Sequence, residues 1–239
     1  ERPDADSIVL RALEEYAVEC SILKVYCSEA YDFVADEGVQ IHGGYGYHQD
    51  YDVERAYRDS RINRIYEGTN EINRLLIPGM LLKRAARGRL SLIRPDEAAR
   101  VGEDEESSLV RRAKLIALLT LSLVRKTFPE ETEKHQEVLM SIADIVMEVF
   151  AMESSHLRSR KFAAGKGENA AGMCAVLLRD ALARVEVSAR GVLGACLQGE
   201  ALRTQAANLR RLAEYDPVDA VRLRRAIAGR LLARERYVV

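Results

Sequence analysis

The chain has 239 residues, 48% of them hydrophobic and 31% charged, so it can bury a sizeable core and disorder is not expected. Its 36 lysines and arginines nearly cancel 37 acidic residues, which argues against a nucleic-acid partner, and no apolar run approaches the roughly 18 residues of a membrane span. Four cysteines without a CxxC pair predict a reduced, cytoplasmic chain, and with only four histidines no metal site is expected.

The first predicted element is a long amphipathic helix. Apolar residues recur at helical spacing from Ser7 to about Ala35, and Ser7 is the predicted N-cap. A glycine-rich bend is expected over residues 38–51. Asp52 is the predicted cap of a short helix that ends near Ser60, and the charged residues of this helix are expected to form structural ion pairs.

Thr69 is the predicted N-cap of the next helix, which covers residues 70–86. Pro78 lies inside this helix and is expected to bend it or to break it into two. Residues 88–106 then change character, because they combine glycines, a proline and an acidic run, and they predict a linker. The linker separates a first domain, residues 1–87, from a second, residues 107–239.

The second domain is predicted to be another helical bundle. Apolar residues between Val138 and Phe150 keep to one stripe of a helix, as in bundle proteins. Asp216 is the predicted cap of the last helix, with Pro217 in its first turn. The expected fold class is therefore all-α, an antiparallel helical bundle followed by a second helical bundle. The predicted helices of the second bundle cover residues 107–127, 130–165, 168–198, 199–214 and 217–236.

Two segments of the first domain carry candidate chemistry. Residues 40–47 (QIHGGYGY) hold three glycines within four positions, which lets a backbone approach a phosphate-bearing ligand, although spacing alone favours a tight turn without a ligand. Residues 65–72 (IYEGTNEI) place Glu67 just before a capped helix. In partly apolar surroundings such a carboxylate can serve as a general base, but an acidic residue stabilised by the helix dipole is the commoner case.

Both segments occur in this order, joined by residues 53–61 (VERAYRDSR), and here the sequence resembles the acyl-CoA dehydrogenase family. The signature of that family reads as a Q-x-x-G-G-x-G-Y turn, a V-E-R-x-Y-R-D-x-R helix and a Y-E-G-T-x-E-I-x-R segment, with the intervals found here. The resemblance covers roughly residues 7–87. One departure is Asp52, where the family usually has proline.

The resemblance implies a role for each matching residue. Glu67 matches the catalytic base, which removes the α-proton of an acyl thioester while a hydride passes from the β-carbon to FAD. The implied substrate-binding residues are Tyr66 and Gly68. The implied cofactor-binding residues are Thr69, Asn70 and Glu71 beside the flavin, and Gln40, Ile41, His42, Gly43 and Gly44 at the adenine and diphosphate end of a FAD bound by the neighbouring subunit.

The resemblance also implies partners. They are a fatty acyl-CoA, as in fatty acid β-oxidation, an electron-transfer flavoprotein, and further copies of the chain in a homodimer or dimer-based tetramer. The family's flavin- and CoA-holding domains would precede residue 1, so the fragment alone is expected to be inactive. A non-catalytic assembly or scaffold protein of the same fold and an acyl-CoA oxidase are alternatives, of which the retained Glu67 disfavours the scaffold.

Residues 107–239 resemble, more loosely, the helical appendix of the very-long-chain branch of the family. In that branch the appendix contributes to dimer contact and to membrane association. Here the linker is acidic and no strongly basic amphipathic stripe precedes the bundle, so peripheral membrane contact has no support in the sequence.

Overall fold

The computed structural model describes residues 4–92, 104–162 and 167–237, and within them it contains eight α-helices, two short 3-10 turns and no strand. The predicted all-α class is confirmed. The 3-10 turns lie at Gly43–Tyr47 and Thr132–Lys134. The helices are α1 (Ala5–His42), α2 (Asp52–Ile62), α3 (Asn70–Ala86), α4 (Glu105–Thr127), α5 (Gln136–Phe162), α6 (Gly167–Cys196), α7 (Gly199–Ala213) and α8 (Ala220–Arg234).

The chain divides into two compact units, Glu1–Leu90 and Ser91–Val239. Residues 93–103, which make up most of the predicted linker at 88–106, lie outside the described residues. No helix in the described ranges is both long enough and apolar enough to cross a bilayer.

In the first unit, α1 packs against α2, α3 and the Gly43–Tyr47 turn. Its buried residues Val18, Ile22 and Val25 follow helical spacing, and Ile77 of α3 is fully buried as well. Residue pairs such as Glu14 with Arg87 near one end and Ser28 with Asn70 near the other show that the two helices run antiparallel. The first three turns of α1 are largely exposed, although they are rich in apolar side chains.

In the second unit, α4, α5 and α6 form the core of the bundle. Antiparallel packing of α5 on α6 brings Glu148 to Arg184, with a guanidinium nitrogen 2.9 Å from a carboxylate oxygen. Helix α7 adds three buried residues and α8 adds none. Cys174 lies in this core, where burial raises the pKa of its thiol to about 11, and all four cysteines are free. The largest fully buried side chains of the unit include Leu109, Ile116, Ile142, Ile145, Met152, Leu178, Leu182 and Leu193.

Several predicted helix ends in the first unit are wrong. The N-cap of α1 is Asp4, whose carboxylate accepts the backbone N–H of Ser7 at 2.7 Å, so Ser7 lies inside the helix. The same helix continues to His42 and takes in the first residues of the predicted bend. Asp52 is the first residue of α2 and not its cap, and it accepts a hydrogen bond from Arg55 at 2.9 Å.

The start of α3 was predicted correctly. The Thr69 hydroxyl oxygen accepts the backbone N–H of Ile72 at 3.2 Å, as an N-cap does. The expected break at Pro78 is wrong, because α3 runs as one helix from Asn70 to Ala86. Pro78 is buried in this helix, so apolar packing against the neighbouring residues offsets the missing hydrogen bond.

In the second unit, α5 begins at Gln136, after the short 3-10 turn, and not near residue 130. Its predicted end at residue 165 lies outside the described residues. The cap of α8 is Asp219, which accepts the N–H of Arg222 at 2.9 Å, so the prediction of Asp216 as the cap is wrong. The backbone carbonyl of Asp216 instead accepts a hydrogen bond from Arg179 at 2.9 Å.

Arg179 of α6 is only 5% exposed and ties three parts of the second unit together. Besides the Asp216 carbonyl, its guanidinium binds the Ala175 carbonyl at 3.1 Å and the Glu105 carboxylate at 2.7 Å. Glu105 opens α4, so this one side chain joins the start of α4, the middle of α6 and the segment before α8. Buried charge of this kind needs all of its hydrogen bonds.

Replacing Arg179 with alanine is expected to lower the free energy of unfolding by about 1–3 kcal/mol, because several charge-assisted hydrogen bonds are lost from a buried site. Arg190→Ala on the same helix is the matched control, since the exposed Arg190–Glu186 pair should contribute less than about 1 kcal/mol. Urea unfolding followed by far-ultraviolet circular dichroism measures both. Equal midpoints for the two variants would contradict the anchoring role of Arg179.

Candidate functional site

The glycine-containing segment lies where α1 ends. Gln40, Ile41 and His42 form the last turn of α1, which corrects the expectation that they belong to a bend, and the chain turns at Gly43. Gly43 has φ +59° and ψ −144°, a conformation that essentially only glycine adopts. The ring of His42 is fixed by a 2.8 Å hydrogen bond between its Nδ1 and the carbonyl of Gly38.

The glycines of this turn differ in what surrounds them. A β-carbon added at Gly43 or Gly44 would meet no atom within 4 Å, so the backbone there faces open space. A β-carbon at Gly46 would lie 2.5 Å from the carbonyl oxygen of Val39, so Gly46 is required by close packing inside the unit. Only the first two glycines therefore present a backbone that an external ligand can approach.

Glu67 lies in the segment that joins α2 to α3, residues 63–69. It is exposed in this chain and has φ +55°, a left-handed conformation that a side chain with a β-carbon seldom adopts. Gly68 follows with φ +78°. Backbone strain of this kind persists only where the surrounding structure enforces it, and it is enriched at functional sites.

A small cleft of about 280 Å³ opens beside Glu67. One wall belongs to α1 and the other to the segment that carries Glu67. The Tyr66 hydroxyl is directed by a 2.8 Å hydrogen bond to the amide oxygen of Asn63. The residues that line the cleft are Lys24, Cys27, Ser28, Tyr31, Asn63, Tyr66 and Glu67.

The backbone on the other side of Glu67 is also held in place. The side-chain amide of Asn73 donates to the carbonyls of Gly68 at 2.9 Å and Thr69 at 3.1 Å. A β-carbon at position 68 would lie 3.0 Å from that amide nitrogen, so Gly68 is needed for its φ and for this contact. Glu71 is exposed at the N-terminus of α3, where its own backbone N–H and the Thr69 hydroxyl lower the pKa of its carboxyl.

Asn70 lies differently from the other predicted cofactor-binding residues, because it is completely buried. Its Oδ1 accepts a hydrogen bond from Lys24 Nζ at 2.7 Å, and its Nδ2 donates to Ser28 Oγ at 3.0 Å and to Glu29 Oε1 at 3.1 Å. All three partners lie on α1. The predicted contact between Asn70 and a flavin stays a prediction, but the structure directs this side chain towards α1.

Two ion pairs flank Asn70. Arg74 binds Glu29 in a bidentate manner, with nitrogen–oxygen distances of 2.6 and 2.8 Å. Burial of Glu29 raises the pKa of its carboxyl, but the hydrogen bonds and charge of Arg74, with the Asn70 hydrogen bond and the Arg64 charge, outweigh burial and lower it. Arg64 donates to Asp32 at 3.1 Å.

The acidic residues of α1 were not predicted to take part in this site. No sequence pattern singled out Glu29 or Asp32, because the residues that they bind are at least 28 positions away. Two of the ion pairs predicted within α2 are present, because Arg55 pairs with Asp52 and Arg58 with Glu54.

Comparison with known proteins identifies both units. A family model described as "Acyl-CoA dehydrogenase, C-terminal domain" matches residues 7–82, and a second model with the same description matches residues 112–211. A probable acyl-CoA dehydrogenase of Bacillus subtilis is 40% identical over an alignment of 248 positions, gaps included, which covers 97% of this chain and 42% of that protein.

Two further relatives extend this result. The crystal structure of an acyl-CoA dehydrogenase complexed with FAD from Bacillus anthracis superposes with a TM-score of 0.91 at 41% identity, over 96% of this chain and 41% of that one. The caffeyl-CoA reductase–Etf complex subunit CarC of Acetobacterium woodii is 52% identical over 66 residues, 28% of this chain and 17% of that protein. The chain thus spans about two fifths of the length of the two relatives that it matches throughout.

The helical fold and the sequence matches together show that each of the two units corresponds to a C-terminal domain of an acyl-CoA dehydrogenase. The chain belongs to the acyl-CoA dehydrogenase family.

The left-handed backbone at Glu67 predicts that a glycine variant is more stable than an alanine variant at this position. Glu67→Gly should be about 1 kcal/mol more stable than Glu67→Ala, because glycine adopts a positive φ without the steric cost that alanine bears. Exposed Glu37 inside α1 is the control, where the alanine variant should be the more stable by a similar amount. Urea unfolding of the four variants checks this order, and an alanine advantage at both positions would contradict it.

Proposed function

We propose that this chain is the C-terminal part of a FAD-dependent acyl-CoA dehydrogenase that forms an α,β-double bond in fatty acyl-CoA, with Glu67 as the base. The observation that carries the proposal is a carboxylate held on a strained backbone beside a cleft, within a segment that the family model spans. Residues 1–87 would complete the catalytic domain, residues 88–106 would link it, and residues 107–239 would form the additional bundle.

The chemistry requires a base that reaches the α-carbon of a thioester and keeps its position while the proton leaves. Hydrogen bonds on both sides of Glu67 restrain its backbone, as general-base catalysis needs. Tyr66 and Gly68 flank it and are proposed to contact the acyl thioester. Glu67 is exposed in this chain, so the enclosure that excludes water from the reaction would come from parts of the complete enzyme outside this chain.

The residues proposed to hold FAD suit a dinucleotide. The backbone at Gly43 and Gly44 faces open space, so a diphosphate could come close to its N–H groups. Thr69 and Glu71 lie at the start of α3 and are proposed to line the flavin side of the site. FAD, when bound, would supply the acceptor for the β-hydride. Gln40, Ile41 and His42 end α1 directly before the glycine turn and are proposed to border the adenine end.

The proposed partners follow from the same family membership. The reduced enzyme would pass electrons to an electron-transfer flavoprotein, and the name of the related Acetobacterium woodii protein includes an Etf complex. A homodimer or dimer-based tetramer is proposed, because the glycine turn would serve the FAD of a neighbouring subunit. A cytoplasmic location is proposed as well, because four cysteines without a CxxC pair suit a reducing compartment.

The 239-residue chain alone is predicted not to bind FAD in stoichiometric amounts and not to oxidise acyl-CoA, since most of a relative's length lies outside the matched region. Purified chain should be colourless after incubation with FAD and gel filtration. A yellow protein that turns over acyl-CoA would contradict this expectation.

Glu67→Gln in the full-length natural polypeptide that carries this chain is predicted to lower kcat about 10³-fold, because the amide cannot accept the α-proton. Bound FAD, measured by its visible spectrum, should be unchanged. Asp50→Asn, a change at an exposed acid of the same unit, serves as the control and should leave kcat within about two-fold.

If the Glu67→Gln enzyme retains turnover within about ten-fold of the unchanged enzyme, Glu67 is not the base. An absence of acyl-CoA oxidation by the unchanged full-length protein, with folding intact, would indicate a non-catalytic scaffold. Rapid reoxidation of the reduced flavin by air in stopped-flow measurements would indicate an acyl-CoA oxidase.

A further inference from the structure

We infer that Asn70 is a positioning residue for the Glu67 carboxylate, an inference that rests on the proposed role of Glu67 as the base. The buried amide of Asn70 fastens the end of residues 63–69 to α1, and the left-handed backbone at Glu67 is thereby kept in one conformation. Asn70 would then act on the reaction through Glu67, without contact with substrate.

The first argument is the burial of Asn70 and the complete pairing of its amide. The side chain has no exposed surface, its oxygen is bonded to Lys24, and its nitrogen is bonded to Ser28 and Glu29. An uncharged amide that is buried in this way is costly unless it is fully hydrogen-bonded, and here the bonds are made to a different helix. Asn70 therefore fixes α3 against α1 in direction as well as in distance.

The second argument is the path from Asn70 to Glu67. The backbone N–H of Asn70 donates to the carbonyl of Arg64 at 3.1 Å, which closes residues 64–70 into a loop around Glu67. Arg64, at the other end of this loop, binds Asp32 of α1 at 3.1 Å. Both ends of the loop are thus attached to the same helix, and Glu67 lies between the two attachments.

The third argument is strain. A left-handed conformation at a residue with a long side chain relaxes unless its neighbours prevent it. Asn73 restrains the carbonyls of Gly68 and Thr69, but Asn73 belongs to α3 and moves with it. The contacts with α1 attach the loop to a second helix, and at the α3 end the Asn70 amide provides them together with the Glu29–Arg74 pair.

The test uses the full-length natural polypeptide with Asn70→Ala. Turnover number, KM and FAD content are measured, together with hydrogen exchange of the backbone amides in residues 64–70. Because a small displacement of a base can lower its rate strongly, kcat is expected to fall about 10–100-fold, with KM and FAD content within about two-fold. Exchange in residues 64–70 is expected to accelerate.

Arg87→Gln is the matched control, because Arg87 bonds to Glu14 and so joins the same two helices far from Glu67. It should change neither kcat nor the exchange of residues 64–70. If Asn70→Ala does not fold, Ser28→Ala removes one partner of the Asn70 amide and should give the same pattern with a smaller fall in kcat.

The outcomes separate this inference from the proposed function. Loss of FAD from Asn70→Ala would overturn the inference and indicate flavin contact instead. An unchanged kcat in Asn70→Ala or in Ser28→Ala, in an enzyme that Glu67→Gln inactivates, would overturn the inference and leave the proposed function intact. If Glu67→Gln remains active, the proposed function fails and this inference fails with it.

Discussion

The hydrogen bonds between the buried amide of Asn70 and helix α1 set the geometry of the candidate site. They lie where α3 begins, directly after the segment that carries Glu67, and the bidentate Glu29–Arg74 pair stands beside them. Apolar packing of α1 on α3 brings these helices together without fixing how one slides along the other. Directional polar contacts at a single place supply that register.

The sequence predicts the parts of the fold that depend on local patterns. Apolar spacing together with cap and turn residues predicted a helix at the place of each α-helix in the described residues, and Thr69 was recognised as a cap because its hydroxyl acts only three residues along the chain. Caps were misplaced where two candidates compete, as with Asp4 and Ser7 or Asp219 and Asp216. The break that was one of two outcomes expected at Pro78 does not occur, because the packing of α3 outweighs a local penalty that the sequence does show.

In the candidate site, too, the features that depend on a local motif were predicted and the contacts between distant residues were not. Glu67 and the glycines were found from a short motif and its resemblance to a family, and the structure places Glu67 on a left-handed residue that no pattern had indicated. The contacts of Asn70 join residues that lie 41 to 46 positions apart in the chain. Its partners on α1 are polar residues that the sequence alone does not distinguish from other polar residues on a helix surface. Long-range pairing of this kind is visible only after the helices are packed.

The left-handed backbone at Glu67 limits which amino acids can replace it. Glycine, asparagine and aspartate suit this conformation better than glutamate, so backbone preference alone would select one of them. Aspartate would keep the negative charge and ease the strain, but its carboxylate would end about 1.5 Å short, the length of one carbon–carbon bond. A glutamate at this position therefore indicates that the length of the side chain matters more than the relief of backbone strain.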